Sequence, residues 1–268
     1  SPIGYGFGDD GDGVDCGGKR KMKKYQLGFI SDEVIFEHVK STVLKYRFVI
    51  DLETFNSNIV DPIKLTFDAK VYNKTIEQVI QDEVTRQLDK SNNNHIGYFH
   101  QNLFGLLNAD WAVPTKGFDV VNEKQKIFVE MKNKHNTMNS SSSQKTYTRM
   151  QAKLLNTPKA QCFLVEVIAK KSQNQPWIVS LDGERVVNDK IRRVSIDKFY
   201  EFITGDGLAF HKLCTQLPVI IDDVIEHLGR DNLIKNTVLS ELCAVSSQDI
   251  LKRIYKLSFK DYQGFRDE

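Results

Sequence analysis

Cysteine is scarce in this sequence, and its spacing excludes the common cysteine-based sites. The 268 residues contain four cysteines, at positions 16, 162, 214 and 243, and none of them forms a Cys-x-x-Cys pair. A zinc site or a disulfide framework is therefore not expected. Cys162 opens an apolar run and is interpreted as a small core residue.

Long apolar runs are also lacking, which argues against a membrane protein. No stretch approaches the roughly 20 apolar residues that a transmembrane helix needs, and no signal-peptide pattern opens the sequence. Hydrophobic residues make up 40% of the chain and charged residues 27%, so a globular protein with a substantial core is expected. We expect a cytoplasmic location.

Residues 1–21 lack the periodicity of a folded segment. They are rich in glycine and aspartate, and we interpret them as a disordered or cloning-derived leader. One domain is expected over residues 22–268. Within it we expect a helical N-terminal part (27–108), a catalytic core (110–185) and a helical C-terminal part (195–258).

Positive charge is concentrated in one block, although the net charge is only +2. Residues 116–171 hold eleven Lys or Arg residues against four Asp or Glu residues, a local charge of +7. Such an excess favours a polyanionic partner. A solvated basic face is the alternative interpretation, and charge alone does not decide between the two.

Apolar periodicity predicts helices on both sides of a strand-rich centre. The predicted helices cover residues 31–48, 75–90, 96–108, 146–156, 196–204, 207–229 and 238–256. A loop containing Asn56, Asn58 and Asp61-Pro62 is expected after the first helix, and Asn92-Asn93-Asn94 is expected to end the second. Residues 162–169 (CFLVEVIA) predict a central strand, and 177–182 another. The order favours an α/β or α+β fold with a mixed sheet flanked by helices.

Two β-prone runs, 118–122 and 127–132, predict a hairpin that brings two carboxylates together. With the turn centred between residues 124 and 125, Asp119 lies opposite Glu130. Opposed side chains have Cβ atoms about 4.5–5.5 Å apart, on the same face. Two carboxylates at that distance repel each other unless a cation lies between them, and Mg²⁺ is the natural candidate.

Lys132 shares the face of Glu130 because side chains alternate along a strand, whereas Met131 points the other way. We predict a catalytic centre of Asp119, Glu130 and Lys132, with Met131 counted among the metal ligands. A metal there would hold a phosphate oxygen and activate a water, and Lys132 would orient that water or stabilise the transition state. The pattern is short, and a surface hairpin with an exposed ion pair is the alternative.

Two further acidic positions compete with this centre or add to it. Asp61-Pro62 with Asp68-Ala69-Lys70 has suitable residue types, but its flanks do not predict a hairpin. Glu83 falls inside the apolar stripe of a predicted helix, where a carboxylate needs a partner or a metal. We predict Glu83 as an additional catalytic acid, with neutralisation by a nearby Lys or Arg as an equal alternative.

The polar segment after the hairpin is interpreted as DNA-binding. Its side chains include donors suited to phosphates and base edges, although a flexible loop over residues 137–146 is the alternative. His95 and His100 show no spacing typical of a histidine-based nuclease. The predicted DNA-binding residues are Asn133, Lys134, His135, Asn136, Asn139, Ser140, Ser141, Ser142, Ser143, Gln144, Lys145 and Arg149.

The segment GFDVVNEKQKIFVEMKNKHNTMNSSSSQKTYTRMQ (117–151) resembles the core of type II restriction endonucleases with the PD-(D/E)xK fold. It is most similar to the family that cuts GGNCC-type sites. The similarity extends over about residues 27–224, including DPIKLTFDAKVY (61–72) and NHIGYFHQNLF (94–104). Phe118 replaces the formal proline before Asp119, but proline has no chemical role there.

The resemblance implies a Mg²⁺-dependent homodimer that hydrolyses both strands of double-stranded DNA at a roughly palindromic site. It implies that Asp119 and Glu130 are metal ligands, that Lys132 is the catalytic lysine, and that a cognate DNA methyltransferase belongs to the same system. A repair or junction-resolving nuclease of the same fold is one alternative. A DNA-binding module whose acidic cluster is only structural is another.

Overall fold

The computed structural model describes residues 25–46, 48–230, 233–245 and 249–265. The predicted leader, residues 1–21, lies outside the described residues. The helices are α1 (Asp32–Tyr46), α2 (Leu52–Ser57), α3 (Pro62–Val71), α4 (Ile76–Leu107), α5 (Ser140–Asn156), α6 (Ile196–Thr204), α7 (Ala209–Leu228), α8 (Val238–Val245) and α9 (Ile250–Ser258). The strands are β1 (Phe48–Ile50), β2 (Trp111–Ala112), β3 (Val120–Asn122), β4 (Ile127–Lys134), β5 (Gln161–Ile168), β6 (Asn174–Pro176), β7 (Val179–Leu181), β8 (Glu184–Val186), β9 (Ile191–Ser195) and β10 (Ile234–Asn236).

A six-stranded mixed sheet lies at the centre, in the order β2-β3-β4-β5-β9-β6. Strands β4, β5 and β9 are parallel to one another, and the remaining neighbours are antiparallel. Helices cover both faces of this sheet, so the predicted mixed α/β architecture is confirmed. Strand β9, between β5 and β6, was not predicted.

The two faces of the sheet feed two separate apolar clusters. Ile127 and Val129 of β4 join a cluster with α1, α6, α7 and the C-terminal half of α4. Phe128 joins the other cluster, which is covered by Tyr147 and Met150 of α5. Because side chains alternate along a strand, the even-numbered residues of β4 project toward α5.

The β3–β4 hairpin has the predicted register. Val120 pairs with Val129, and Asn122 pairs with Ile127 across the turn. The turn is fixed by the side chain of Asn122, whose Oδ1 accepts a hydrogen bond of 2.9 Å from the backbone N–H of Gln125. The alternation that brings acidic side chains to one face is therefore set by local turn chemistry.

The predicted loop with Asn56, Asn58 and Asp61-Pro62 is wrong, because α2 contains Asn56 and α3 begins at Pro62. Asp51 and Asp61 are the N-caps of these helices, and each side chain accepts a backbone N–H of its first turn. Pro62 occupies the first turn of α3, where its missing N–H costs nothing. Asp and Pro therefore begin helices here rather than interrupting them.

These two helices belong to a third apolar cluster, which also contains α8, α9 and the N-terminal half of α4. Phe55 of α2 and Leu65 of α3 pack there against Ile80 of α4. The predicted helix 238–256 is divided into α8 and α9, and residues 246–248 between them lie outside the described residues. Both ends of the chain thus contribute to this helical cluster.

The predicted helix end at Asn92-Asn93-Asn94 is also wrong, since the triplet lies inside α4, which has 32 residues and ends at Leu107. Asparagine in a helix costs only a few tenths of a kcal/mol relative to alanine. Phe99 and Leu103 beyond the triplet are buried against the sheet, and Val79 before it is buried in the helical cluster. Packing on both sides outweighs the weak local propensity.

Among the helices of the described residues, none is long and apolar enough to cross a membrane.

Candidate active site

Asp119 lies one residue before β3, and two hydrogen bonds hold it beside β4. Its backbone N–H donates to the carbonyl of Val129 at 2.9 Å. Its Oδ2 accepts the backbone N–H of Met131 at 2.8 Å. The carboxylate is therefore fixed next to the peptide that joins Glu130 to Met131.

Glu130 is the most electrostatically loaded residue of the hairpin. Its side chain is 13% exposed, its Oε2 contacts the guanidinium of Arg149, and its Oε1 lies 3.8 Å from the Lys132 ammonium. Burial raises the pKa of Glu130, the charge of Asp119 raises it further, and Arg149 and Lys132 offset this only in part. The positive charge near Glu130 is thus too small to offset the cost of ionising its carboxylate in this buried position beside Asp119.

A divalent metal fits this group of ligands. Mg²⁺ binds oxygen atoms, commonly one or two carboxylates completed by water, and Asp119 and Glu130 supply two adjacent carboxylates. The Met131 side chain packs into the apolar cluster on the other face of the sheet. If Met131 contributed a metal ligand, that ligand would be its main-chain carbonyl oxygen. The described residues contain no group of three or more His, Cys, Asp or Glu side chains suited to a metal ion.

Glu166 of β5 is a residue that the sequence reasoning missed. It pairs with Lys132 in the parallel β4–β5 register, on the face that packs against α5. Its side chain is 2% exposed, and Arg193 of β9 donates to both oxygens, at 2.6 and 2.9 Å. The available signal was a single charge inside the apolar run 162–169.

Arg193 also connects this ion pair to the end of β4. Its Nη2 donates to the carbonyl of His135 at 3.4 Å, while the His135 N–H donates to the carbonyl of Ile168. The strand that carries Glu130 and Lys132 is thereby anchored beyond its last residue. Glu166 and Arg193 support β4 from the neighbouring strands of the sheet.

Glu83 is not brought to the hairpin by the fold. It is 7% exposed in α4, among side chains of the helical cluster, and Arg86 donates to both of its oxygens at 2.6 and 2.7 Å. Gln87 donates a further hydrogen bond at 3.2 Å. The structure therefore matches the alternative of a glutamate that a neighbouring arginine neutralises.

Most of the predicted DNA-binding residues lie at the end of β4 and in the first turns of α5. Residues 139–146, which are most of the segment 137–146 considered as a flexible loop, form the N-cap and first turns of that helix. The cap is Asn139, whose Oδ1 accepts the N–H of Ser142 at 2.8 Å. Arg149 projects back to Glu130, and its guanidinium lies 4.8 Å from the centre of the Phe118 ring.

His100 is buried elsewhere, in contact with the Tyr200 hydroxyl at 2.9 Å. Burial lowers its pKa to about 4, so the ring is neutral at physiological pH. Cys162 is fully buried, as expected, and burial raises the pKa of its thiol to about 12. Both residues are parts of the protein interior.

The profile of the Eco47II restriction endonuclease family matches residues 27–226, which are 200 of the 268 residues. This chain belongs to the Eco47II restriction endonuclease family. The predicted resemblance to type II restriction endonucleases is confirmed, and DNA is the substrate of this endonuclease. Enzymes of this type generally use a divalent metal ion.

Two curated relatives cover most of the endonuclease. The type II restriction enzyme Sau96I of Staphylococcus aureus is 31% identical over 217 residues, which are 76% of this chain and 83% of that enzyme. The type II restriction enzyme Eco47II of Escherichia coli is 31% identical over 219 residues, which are 76% of this chain and 90% of that enzyme.

Proposed function

We propose that this restriction endonuclease hydrolyses both strands of double-stranded DNA at a short palindromic site of the GGNCC type, using Mg²⁺. The proposed metal ligands are the carboxylates of Asp119 and Glu130 and the main-chain carbonyl oxygen of Met131. The observation that carries this proposal is the Glu130 carboxylate, which is buried beside a second acid and shares a strand face with Lys132. A bound Mg²⁺ supplies Lewis acidity and a water of lowered pKa.

Lys132 is the proposed catalytic lysine. Its ammonium lies 3.8 Å from a Glu130 carboxylate oxygen, and its side chain is 34% exposed, which leaves it accessible to substrate. A fixed cation at this point orients the attacking water and stabilises the extra negative charge of the transition state. Glu83 is left out of the proposed centre, because Arg86 and Gln87 occupy its oxygens.

The proposed DNA contacts are the predicted residues at the end of β4 and the start of α5. A helix N-terminus presents unpaired backbone N–H groups to phosphate, and the block of residues 116–171 adds a local charge of +7. Cutting both strands of a palindrome suits a twofold-symmetric homodimer. We place the enzyme in the cytoplasm, together with a cognate methyltransferase that protects the host DNA.

Sequencing the ends of digested plasmid DNA tests the proposed site and cut position together. We expect discrete fragments in which the two ends produced by each cut together restore one GGNCC site, whereas random ends would overturn site-specific cleavage at this sequence. Asp119→Ala is expected to abolish cleavage with Mg²⁺ and to retain DNA binding with Ca²⁺. Cleavage at the wild-type rate by this variant would show that the metal site lies elsewhere.

A further inference from the structure

Arg149 occupies the carboxylate oxygen that a metal at the proposed site would need. It extends from α5 across the Phe118 ring, and its guanidinium contacts Oε2 of Glu130. The other nearby cation, Lys132, lies 3.8 Å from Oε1 and leaves Oε2 to the arginine. Arg149 therefore supplies part of the positive charge that two adjacent carboxylates require.

The two partners of the contact between Arg149 and Glu130 differ in solvent exposure, and the more exposed partner is the one that is able to move away. The Arg149 side chain is 44% exposed, whereas Glu130 is 13% exposed and fixed on a central strand. The helix itself is anchored, because Tyr147 and Met150 on either side of Arg149 are fully buried. Rotation of the arginine side chain alone is enough to free Oε2, with no movement of α5.

The pair between Glu166 and Arg193, on the same face of the sheet, shows the opposite design. There the glutamate is 2% exposed, both of its oxygens are bonded, and the arginine is further tied to a backbone carbonyl. Arg149 has no such double hold on Glu130, since one oxygen makes the contact. Of the two ion pairs, the one between Arg149 and Glu130 at the proposed metal site is therefore the easier to break.

We propose that Arg149 holds Glu130 in the DNA-free enzyme and leaves it for a DNA phosphate, so that tight binding of the divalent metal depends on bound DNA. The guanidinium fork matches the geometry of phosphate oxygens as well as it matches a carboxylate. Arg149 lies on α5, about one turn beyond Lys145, the preceding residue of the set proposed to contact the DNA. This inference rests on the proposed function, because it takes Glu130 to be a metal ligand.

Linkage makes the inference measurable without any cleavage assay. If DNA removes the arginine from the metal ligand, DNA raises metal affinity by the factor by which metal raises DNA affinity. Substituting the arginine should give the DNA-free protein part of the increase in metal affinity that DNA binding gives the wild type. The DNA-free protein then binds metal more tightly, although the variant has lost no metal ligand and gained none.

The first experiment titrates Mn²⁺ into the DNA-free protein and follows the free ion by electron paramagnetic resonance. We expect Arg149→Met to bind Mn²⁺ roughly three- to tenfold more tightly than wild type, the worth of a partly exposed ion pair. Lys145→Met is the matched control, because it removes the same charge from the same helix one turn away. Unchanged or weaker binding by Arg149→Met, or an equal gain in Lys145→Met, would overturn the inference.

The second experiment measures binding to a short duplex containing GGNCC in Ca²⁺, over a range of salt concentrations. Loss of one phosphate contact should reduce the slope of log affinity against log salt by about one in Arg149→Met. A slope equal to that of wild type would show that Arg149 does not move to a phosphate.

Glu130→Gln separates failure of this inference from failure of the proposed function. We expect this variant to lose the Mn²⁺ site that wild type and Arg149→Met share. Wild-type Mn²⁺ binding by Glu130→Gln would overturn the proposed metal site and this inference with it. Loss of binding in Glu130→Gln, with no change in Arg149→Met, would overturn the inference alone.

Discussion

Glu83 in the helical cluster and Glu130 on the sheet are both buried glutamates that contact an arginine, yet their charges are supported differently. Burial raises the pKa of Glu83, but hydrogen bonds from Arg86 and Gln87 outweigh this and hold it below its usual value. Burial and the charge of Asp119 raise the pKa of Glu130, and its cations do not compensate. The first carboxylate is satisfied within its own helix, and the second still requires positive charge.

This difference separates a structural acid from the acid that we propose as a metal ligand. Burial and a nearby arginine are common to both residues and do not discriminate between them. The second acid close by is the discriminating feature, because it makes the site a sink for a divalent ion.

The largest expected effect is on catalysis. Glu130→Gln should slow cleavage about a thousandfold, because it removes a proposed metal ligand from the proposed reaction centre. Glu83→Gln is the matched control, an identical change at an equally buried glutamate, and should cut at close to the wild-type rate. Single-turnover cleavage of plasmid DNA with Mg²⁺ measures both. A comparable loss of rate in Glu83→Gln would restore that residue as a catalytic acid.

The next largest effect concerns the third buried glutamate, Glu166, which has the firmest arginine partner. Glu166→Leu should destabilise the protein by about 3 kcal/mol, because it leaves Arg193 partly buried without its counter-ion. Urea denaturation measures the loss. The double variant Glu166→Leu/Arg193→Leu should regain part of it, and a double variant less stable than Glu166→Leu would contradict this explanation.

Glu83 should contribute stability at neutral pH and lose it in acid. Its folded-state pKa lies below the ordinary value, so its contribution is present above about pH 4.5 and disappears as the pH falls through the folded pKa. Glu83→Gln should therefore cost about 1 kcal/mol at pH 7, with a difference from wild type that narrows below about pH 4. A difference that is constant with pH would mean that the Glu83 charge has no role.

The smallest effect has the opposite sign. The folded-state pKa of Glu130 is raised, so its ionisation costs stability as the pH rises through that window and continues to do so at neutral pH. Glu130→Gln, studied without metal or DNA, should be more stable than wild type by about 0.5 kcal/mol at pH 7. Urea midpoints with a chelator present measure this, and a less stable variant would show that the existing cations already satisfy Glu130.

The register of the hairpin was predictable because its determinants are local. The turn residues and the alternation of β3 and β4 lie within a short segment, so pairing follows from the sequence itself. Arg149 was included among the DNA contacts, but its position at Glu130 depends on how α5 docks on the sheet. The role of Glu166 depends on Arg193, which lies on a strand that the sequence did not indicate.

The errors in the helical parts have one physical origin. Asp, Asn and Pro were interpreted as interruptions, and in the structure Asp51 and Asp61 cap helices while the asparagine triplet lies within α4. These residues are ambiguous locally, since the same side chains favour turns and helix N-termini. Packing between segments distant in sequence decides whether such a residue lies in a turn or in a helix. Phe55 of α2, for example, is buried in the same apolar cluster as Leu242 of α8.

Helix α4 carries a consequence for how this protein loses its structure. At about 1.5 Å per residue it is roughly 48 Å long, with Ile80 packed in the helical cluster and Leu103 packed against the sheet. Melting either cluster frays the half of the helix that it supports and weakens the half that the other needs. The helical cluster and the sheet should therefore unfold together in one cooperative transition. If the two regions unfolded separately, α4 would first break at the asparagine triplet.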